Sequence, residues 1–300
     1  MSANDNWTPT DLVKWITEDF RNSDLPQPHR YEAELLVCKA LNISRIDIYL
    51  QFDKPSTQQE RSDLKALVRR RKKREPMGYI LGEWEFYGIN FLVGPGVLIP
   101  RSETECLIGI ALELIDQRQT GDTKRILEIG TGSGAIPLAL ALNRVNLNIL
   151  SVEISSKALS FARQNMLAYQ TELSNLNSRI DLVQGCVFSL FKEIAYFDLI
   201  ITNPPYIKID EIDQLQAEVK YFEPKMALDG GVDGLDFYRA ISQNLCSLLK
   251  SGGHLIFEHG FDQKLAIKKI LEENKLLDFT DAYLDLNRVD RVMVYKKAGE

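Results

Sequence analysis

The chain has 300 residues, 45% of them hydrophobic and 26% charged, with a formal net charge of −6. This balance describes a globular protein of one large domain, or a large one with a small companion, and no apolar run reaches the roughly 18 residues that a membrane span needs. The charge is uneven: residues 1–100 carry 14 basic and 14 acidic side chains, and the remaining 200 carry 22 and 28, a balance that disfavours a bare nucleic-acid partner.

The polar start, Met1-Ser2-Ala3-Asn4-Asp5, lacks the charged-then-apolar pattern of a secretory signal. Cys38, Cys106, Cys186 and Cys246 are scattered without C-x-x-C spacing, and His29, His254 and His259 are dispersed. A cytoplasmic protein with reduced thiols and no metal is expected.

The first 75 residues read as short helices. Thr10 is placed to cap a helix in which Leu12, Ile16 and Phe20 recur at i, i+4 and i+8. A second helix is expected from about His29 to Leu41. Thr57-Gln58-Gln59-Glu60 has capping-box spacing ahead of Leu64, Leu67 and Val68. That helix ends in the six basic residues Arg69-Arg70-Arg71-Lys72-Lys73-Arg74 before Pro76. The run reads as a solvated last turn complementing the helix dipole, in preference to a polyanion contact. From Tyr79 to Ile99 the texture turns to Gly, aromatic and β-branched residues, a hairpin linker, and Glu103 to about Gln117 is helical again.

After Gly121 strand and helix alternate, as in a parallel α/β sheet. Strands are expected at Arg125–Ile129, Ile149–Glu153, Ile180–Gln184, Asp198–Thr202 and His254–Glu258. Helices are expected at Ala135–Asn143, Lys157–Tyr169, roughly Ile212–Val219, Asp236–Lys250 and near Lys264–Asn274. Extended segments around Phe279–Leu286 and Arg291–Tyr295 then return as a hairpin.

Two loops carry chemistry. Asn203-Pro204-Pro205-Tyr206 ends the apolar run that begins at Phe197. It is a rigid turn offering a side-chain amide, backbone carbonyls pinned by prolines and an aromatic face, which suits a flat two-hydrogen nitrogen. Such a nitrogen is a weak nucleophile, because its lone pair is delocalised, so a strong electrophile must be held in line with it. The second loop, Gly130-Thr131-Gly132-Ser133-Gly134, follows a buried strand and opens a helix. Glu153 stands nineteen residues after Gly134 at the end of the next strand, placed to accept from ribose hydroxyls. A nucleoside-bearing cofactor follows. Ala135 stands where the dinucleotide pattern would put a final glycine, and that position tolerates alanine, so spacing alone leaves a nicotinamide cofactor open.

The Glu128-to-Gly134 spacing resembles the first motif of class I S-adenosylmethionine-dependent methyltransferases, and the resemblance runs from about residue 103 to the end. That family implies a Rossmann-like, seven-stranded α/β fold. In it, Asn-Pro-Pro-aromatic marks enzymes that methylate planar NH₂ nitrogens. The implied roles are acceptance of the two N–H hydrogens by the Asn203 side-chain oxygen and the Pro204 carbonyl, stiffening by Pro205 and packing of Tyr206 on the flat group.

Over nearly its full length the chain resembles the HemK/PrmC family, N5-glutamine methyltransferases of class I peptide chain release factors. The resemblance is carried by Glu75-Pro76-Met77-Gly78-Tyr79-Ile80, by Leu98-Ile99-Pro100-Arg101-Ser102-Glu103-Thr104-Glu105 and by Asn203-Pro204-Pro205-Tyr206-Ile207. Phe222-Glu223-Pro224, Ala227-Leu228, Gly252-Gly253 and Glu258-His259-Gly260 complete it. It implies a helical substrate-recognition domain over residues 1–76, a β-hairpin linker over 77–102 and a methyltransferase domain over 103–300. The substrate would be the glutamine of the Gly-Gly-Gln loop of release factors 1 and 2; a cytoplasmic enzyme without direct nucleic-acid substrate is expected, and the sequence is silent on oligomeric state, with a monomer as the default. S-adenosylmethionine would meet Gly130, Thr131, Gly132, Ser133, Gly134, Glu153, the Val187 backbone N–H and Asn203. The family typically has an Asp contacting adenine where this chain has Cys186.

Other readings are a ribosomal-protein glutamine methyltransferase, an N6-adenine nucleic-acid methyltransferase, a noncatalytic cofactor-binding module and a nicotinamide-dependent dehydrogenase. Retention of both loops counts against the noncatalytic module. The dehydrogenase lacks a recognisable Lys, Tyr or His arrangement.

Overall fold

The computed structural model describes residues 6–116, 122–191 and 195–299; Gln117, the expected end of one helix, and Gly121 lie outside them. The chain divides into two compact units, Met1–Glu83 with Ala217–Phe222, and Trp84–Gln216 with Glu223–Glu300.

The first unit is helical. Its opening helix, Pro9–Arg21, is capped by Thr8 rather than Thr10: the Thr8 hydroxyl accepts from the Asp11 N–H, and the Asp11 carboxylate accepts from the Thr8 N–H. Proline at position 9 costs nothing there, since the first helical N–H has no partner within the helix. Leu12, Ile16 and Phe20 are fully buried, as their spacing requires. Helices His29–Leu41 and Gln58–Lys72 follow, the latter with the expected Thr57/Glu60 capping box.

The basic run at the end of Gln58–Lys72 is a solvated turn only in part: Arg69, Lys72 and Lys73 are exposed, whereas Arg71 is buried. Arg71 is 2% exposed and donates to Glu32 at 2.8 and 3.0 Å and to Glu218 at 2.7 Å. Arg74 donates to Glu218, Arg70 to Glu75 and Lys72 to Asp19. The helix Ala217–Phe222 supplies Glu218, so this excursion of the chain belongs to the N-terminal unit. Tyr79 lies in a further short helix, Met77–Leu81, and so does not begin the hairpin.

In the second unit β1 (Glu83–Phe86) and β2 (Ile89–Leu92) form the expected hairpin. Seven further strands build one sheet: β3 (Lys124–Ile129), β4 (Leu147–Glu153), β5 (Arg179–Gln184), β6 (Phe197–Thr202), β7 (Leu249–Glu258), β8 (Leu277–Leu284) and β9 (Asp290–Lys297). Their order is β5-β4-β3-β6-β7-β9-β8, parallel except where β9 pairs antiparallel with β7 and β8. The order reverses between β3 and β6, the place where open α/β sheets bind ligands.

Two helix expectations are corrected. The helix expected over Asp236–Lys250 ends at Asn244, and a 3-10 turn, Cys246–Leu248, releases the chain into β7. Leu249 then pairs with Phe197 of β6. The helix expected over Ile212–Val219 is a 3-10 turn, Ile212–Gln214, followed by the helix Ala217–Phe222.

Candidate active site

The sheet register sets out the site. Val152, Ile129, Thr202 and Phe257 form one paired row across β4, β3, β6 and β7. The next residue along each strand is Glu153, Gly130, Asn203 and Glu258, so these four stand side by side at one edge. Thr202 strengthens the central pairing by donating its hydroxyl to the Ile129 carbonyl at 2.9 Å.

A cavity of about 400 Å³ opens at this edge, the size of a small-molecule site. Of the residues expected from sequence, Gly130, Thr131, Gly132, Ser133, Glu153, Val187, Asn203 and Pro205 line it. Gly134, Pro204 and Tyr206 stand outside the lining. Gly134 has φ +83°, and a Cβ on it would lie 2.6 Å from the Met166 methyl, so its smallness serves packing of the following helix. Pro204 is buried. Tyr206 donates its hydroxyl to Glu258 Oε1 at 3.0 Å, and its carbonyl accepts from Gln263 Nε2 at 2.8 Å.

The donor set fits an adenosyl cofactor. Gly130 has φ +76° and open space where a Cβ would stand, a cradle into which a ligand can come close. The Glu153 carboxylate accepts from the Gly132 and Ser155 N–H groups at 2.9 and 2.8 Å, which fixes it at the cavity wall. Val152, Ile154, Ala158, Phe188 and Phe237 supply apolar walls for a flat ring, and Cys186 and Val187 also line the cavity.

Several side chains of the site have no role readable from local sequence. Thr104, the first residue of the helix Thr104–Asp116, lines the cavity and donates its hydroxyl to Glu258 Oε2 at 2.6 Å. Asn203 Nδ2 donates to the same Thr104 oxygen at 2.9 Å. Glu258 is 1% exposed; burial pushes its carboxyl above the usual range, while the Thr104 and Tyr206 hydroxyls oppose that rise. Arg101 pairs with the buried Glu223, whose carboxyl burial also raises against the pull of Arg101. The sequence signal for Glu258 is a polar residue closing an apolar strand in step with Glu153.

Glu128 organises the glycine loop. It is fully buried, accepts from the Thr131 hydroxyl, and burial pushes its carboxyl up to about 8. Among the described residues no group of His, Cys, Asp and Glu could hold a metal ion, and no helix is long and apolar enough to cross a membrane.

Comparison with known proteins agrees with this arrangement. The family model for the PrmC N-terminal domain matches residues 11–82, and a methyltransferase domain model matches residues 121–295. The release factor glutamine methyltransferase of Geobacter sulfurreducens is 37% identical over 96% of each chain. Its counterpart in Thermodesulfovibrio yellowstonii is 40% identical over 89% of this chain and 92% of its own. Among solved structures, the human METTL16 catalytic domain shares the fold, with a TM-score of 0.53 at 18% identity over 70% of this chain and 76% of that one. The chain belongs to the release factor glutamine methyltransferase family.

Proposed function

We propose that this protein transfers a methyl group from S-adenosylmethionine to the side-chain amide nitrogen, N5, of the glutamine in the Gly-Gly-Gln loop of class I release factors 1 and 2. The observation that carries the reading is the pairing of Ile129 with Thr202. It sets the glycine loop and the Asn203 turn side by side on one cavity, so electrophile and clamp meet.

When bound, the cofactor supplies an electrophilic methyl group on a sulfonium. Gly130 and Gly132 would let it approach the backbone, and Glu153 would hold its ribose. Asn203 Oδ1 and the Pro204 carbonyl would accept the two N–H hydrogens of the target amide and so fix its nitrogen in the turn. Pro205 stiffens the turn. Tyr206, bound to Glu258, buttresses it. No strong base is required before attack, because the nitrogen becomes acidic only once methylated. Glu258 is not such a base: both of its carboxylate oxygens already accept from hydroxyls within the protein.

The reading divides the chain into a substrate-recognition domain over 1–76, a hairpin linker over 77–102 and a methyltransferase domain over 103–300. The separate matches at 11–82 and 121–295 support that division. The enzyme works in the cytoplasm on a protein substrate.

The test is transfer from methyl-labelled S-adenosylmethionine to a release factor, to the same factor with its loop glutamine replaced, to a ribosomal extract and to DNA. Label on the unaltered factor alone supports the proposal; label only on extract or DNA overturns it. Asn203→Ala is expected to lower transfer about a hundredfold with cofactor affinity retained.

A further inference from the structure

A primary-amide side chain can face a cavity in two ways, and only one of them clamps an NH₂ group. With Oδ1 inward Asn203 accepts from the target; with Nδ2 inward it opposes a donor with a donor. The two orientations have nearly the same shape, so packing does not choose between them. Hydrogen-bond direction does.

Thr104 has one hydroxyl proton, and at 2.6 Å from Glu258 Oε2 that proton is committed to the carboxylate. The Tyr206 hydroxyl proton goes to the other oxygen, Oε1, at 3.0 Å. Toward Asn203, Thr104 therefore has only a lone pair to offer, and it receives Nδ2–H at 2.9 Å. Thr104 is 4% exposed and Glu258 1%, so water does not readily replace either partner.

We infer that Thr104 is a positioning residue for methyl transfer: oriented by Glu258, it accepts from Asn203 Nδ2 and thereby holds the Asn203 Oδ1 acceptor toward the substrate nitrogen. The inference rests on the reading above that the target is an NH₂ nitrogen. Thr104 touches neither reacting atom; it acts through Asn203. Specificity for an NH₂ group over a hydroxyl or carbonyl is thus set two residues back from the substrate, at a carboxylate that 154 residues of chain separate from the threonine.

The experiment is steady-state methyl transfer to a release factor by wild type, Thr104→Val, Thr104→Ser, Asn203→Ala and the double variant Thr104→Val/Asn203→Ala, with S-adenosylmethionine affinity measured for each. Thr104→Val keeps the shape and removes the lone pair and the proton. It is expected to lower kcat about ten- to hundredfold, with KM for the release factor and cofactor affinity each within about threefold. Thr104→Ser restores the hydroxyl and is expected to stay within about threefold of wild type. In the Asn203→Ala background the valine has nothing left to orient and is expected to change kcat less than about twofold.

Wild-type kcat in Thr104→Val, a serine variant as impaired as the valine, or a full additional loss in the double variant overturns the inference. Should Thr104→Val not fold, Thr104→Ala carries the same expectations and the same refutations. Failure of wild type to label the release factor refutes the proposed substrate instead, and is distinguishable because no variant enters that comparison.

Discussion

Ile129 and Thr202 are register partners on β3 and β6, and the Thr202 hydroxyl crosses between the strands to the Ile129 carbonyl at 2.9 Å. This pair sets the two loops of the site beside each other. One residue further on, β3 becomes the glycine loop and β6 becomes the Asn203 turn, so two segments 73 residues apart leave the sheet as neighbours. A slip of one residue in either strand would turn the following loop to the other face.

Gly130 tests the cradle. Its φ of +76° disfavours any residue with a Cβ, at a cost of about 1–2 kcal/mol. The space beyond it is open and belongs to the cavity, so an added methyl group meets no protein atom but occupies ligand volume. Gly130→Ala is expected to fold with a modestly lower Tm and to bind S-adenosylmethionine at least about tenfold more weakly. Calorimetric titration checks it; unchanged affinity would mean that the cofactor does not approach the backbone here.

Glu128 makes stability depend on pH. Its carboxyl lies at about 8 in the folded protein against 4.5 ordinarily, so the folded state binds the extra proton between these values. This group's contribution to stability is therefore fully present below about pH 4.5 and is lost as pH rises to about 8. Glu128→Gln keeps an acceptor for Thr131 and cannot ionise. The variant is expected to gain on wild type as pH rises from 5 to 9, by on the order of a few kcal/mol. Urea unfolding across that range checks it, and a pH-independent difference would count against burial of the charge.

Local patterns carry much of this site. An apolar strand followed by glycines, and another followed by Asn-Pro-Pro, are legible because each signal lies within a few residues. Helical spacing misleads further along the chain. Ile241, Leu245 and Leu248 continue one helical period and all three are buried, yet the helix itself stops at Asn244. The 3-10 turn keeps that face inward while Leu249 joins β7. Thr104 and Glu258 are invisible as a pair in the sequence, since only the register brings β7 beside the Asn203 turn. The basic run misleads for the same reason: the carboxylates that absorb Arg71 come from Glu32 and Glu218, distant in sequence.

Arg71 has a structural consequence of its own. Removing its guanidinium leaves the largely buried Glu32 without its ionic partner and Glu218 with Arg74 alone. Arg71→Ala is expected to lower unfolding free energy by about 3–5 kcal/mol. Lys72→Ala, which breaks a half-exposed pair with Asp19, is expected to cost less than about 1 kcal/mol. Chemical denaturation compares them. Equal small effects would return the run to the surface, where a polyanion contact would then show itself as salt-dependent substrate affinity.

Cys186 lines the cavity where the family resemblance leads to the expectation of an aspartate. It stands at the N-cap position of the short helix Val187–Leu190 without a capping bond and is exposed, so an aspartate there meets solvent and loses little hydration. A carboxylate at that position can accept a hydrogen bond from an exocyclic adenine nitrogen, which a thiol does poorly, and one such bond contributes on the order of 1 kcal/mol. Cys186→Asp is expected to tighten S-adenosylmethionine binding about three- to tenfold without changing the Tm by more than a few degrees. Binding measured with S-adenosylhomocysteine should tighten equally, since both ligands carry the same adenine. Unchanged or weaker binding of both would place the adenine away from the β5 edge and refute the assignment of Val187 to its recognition.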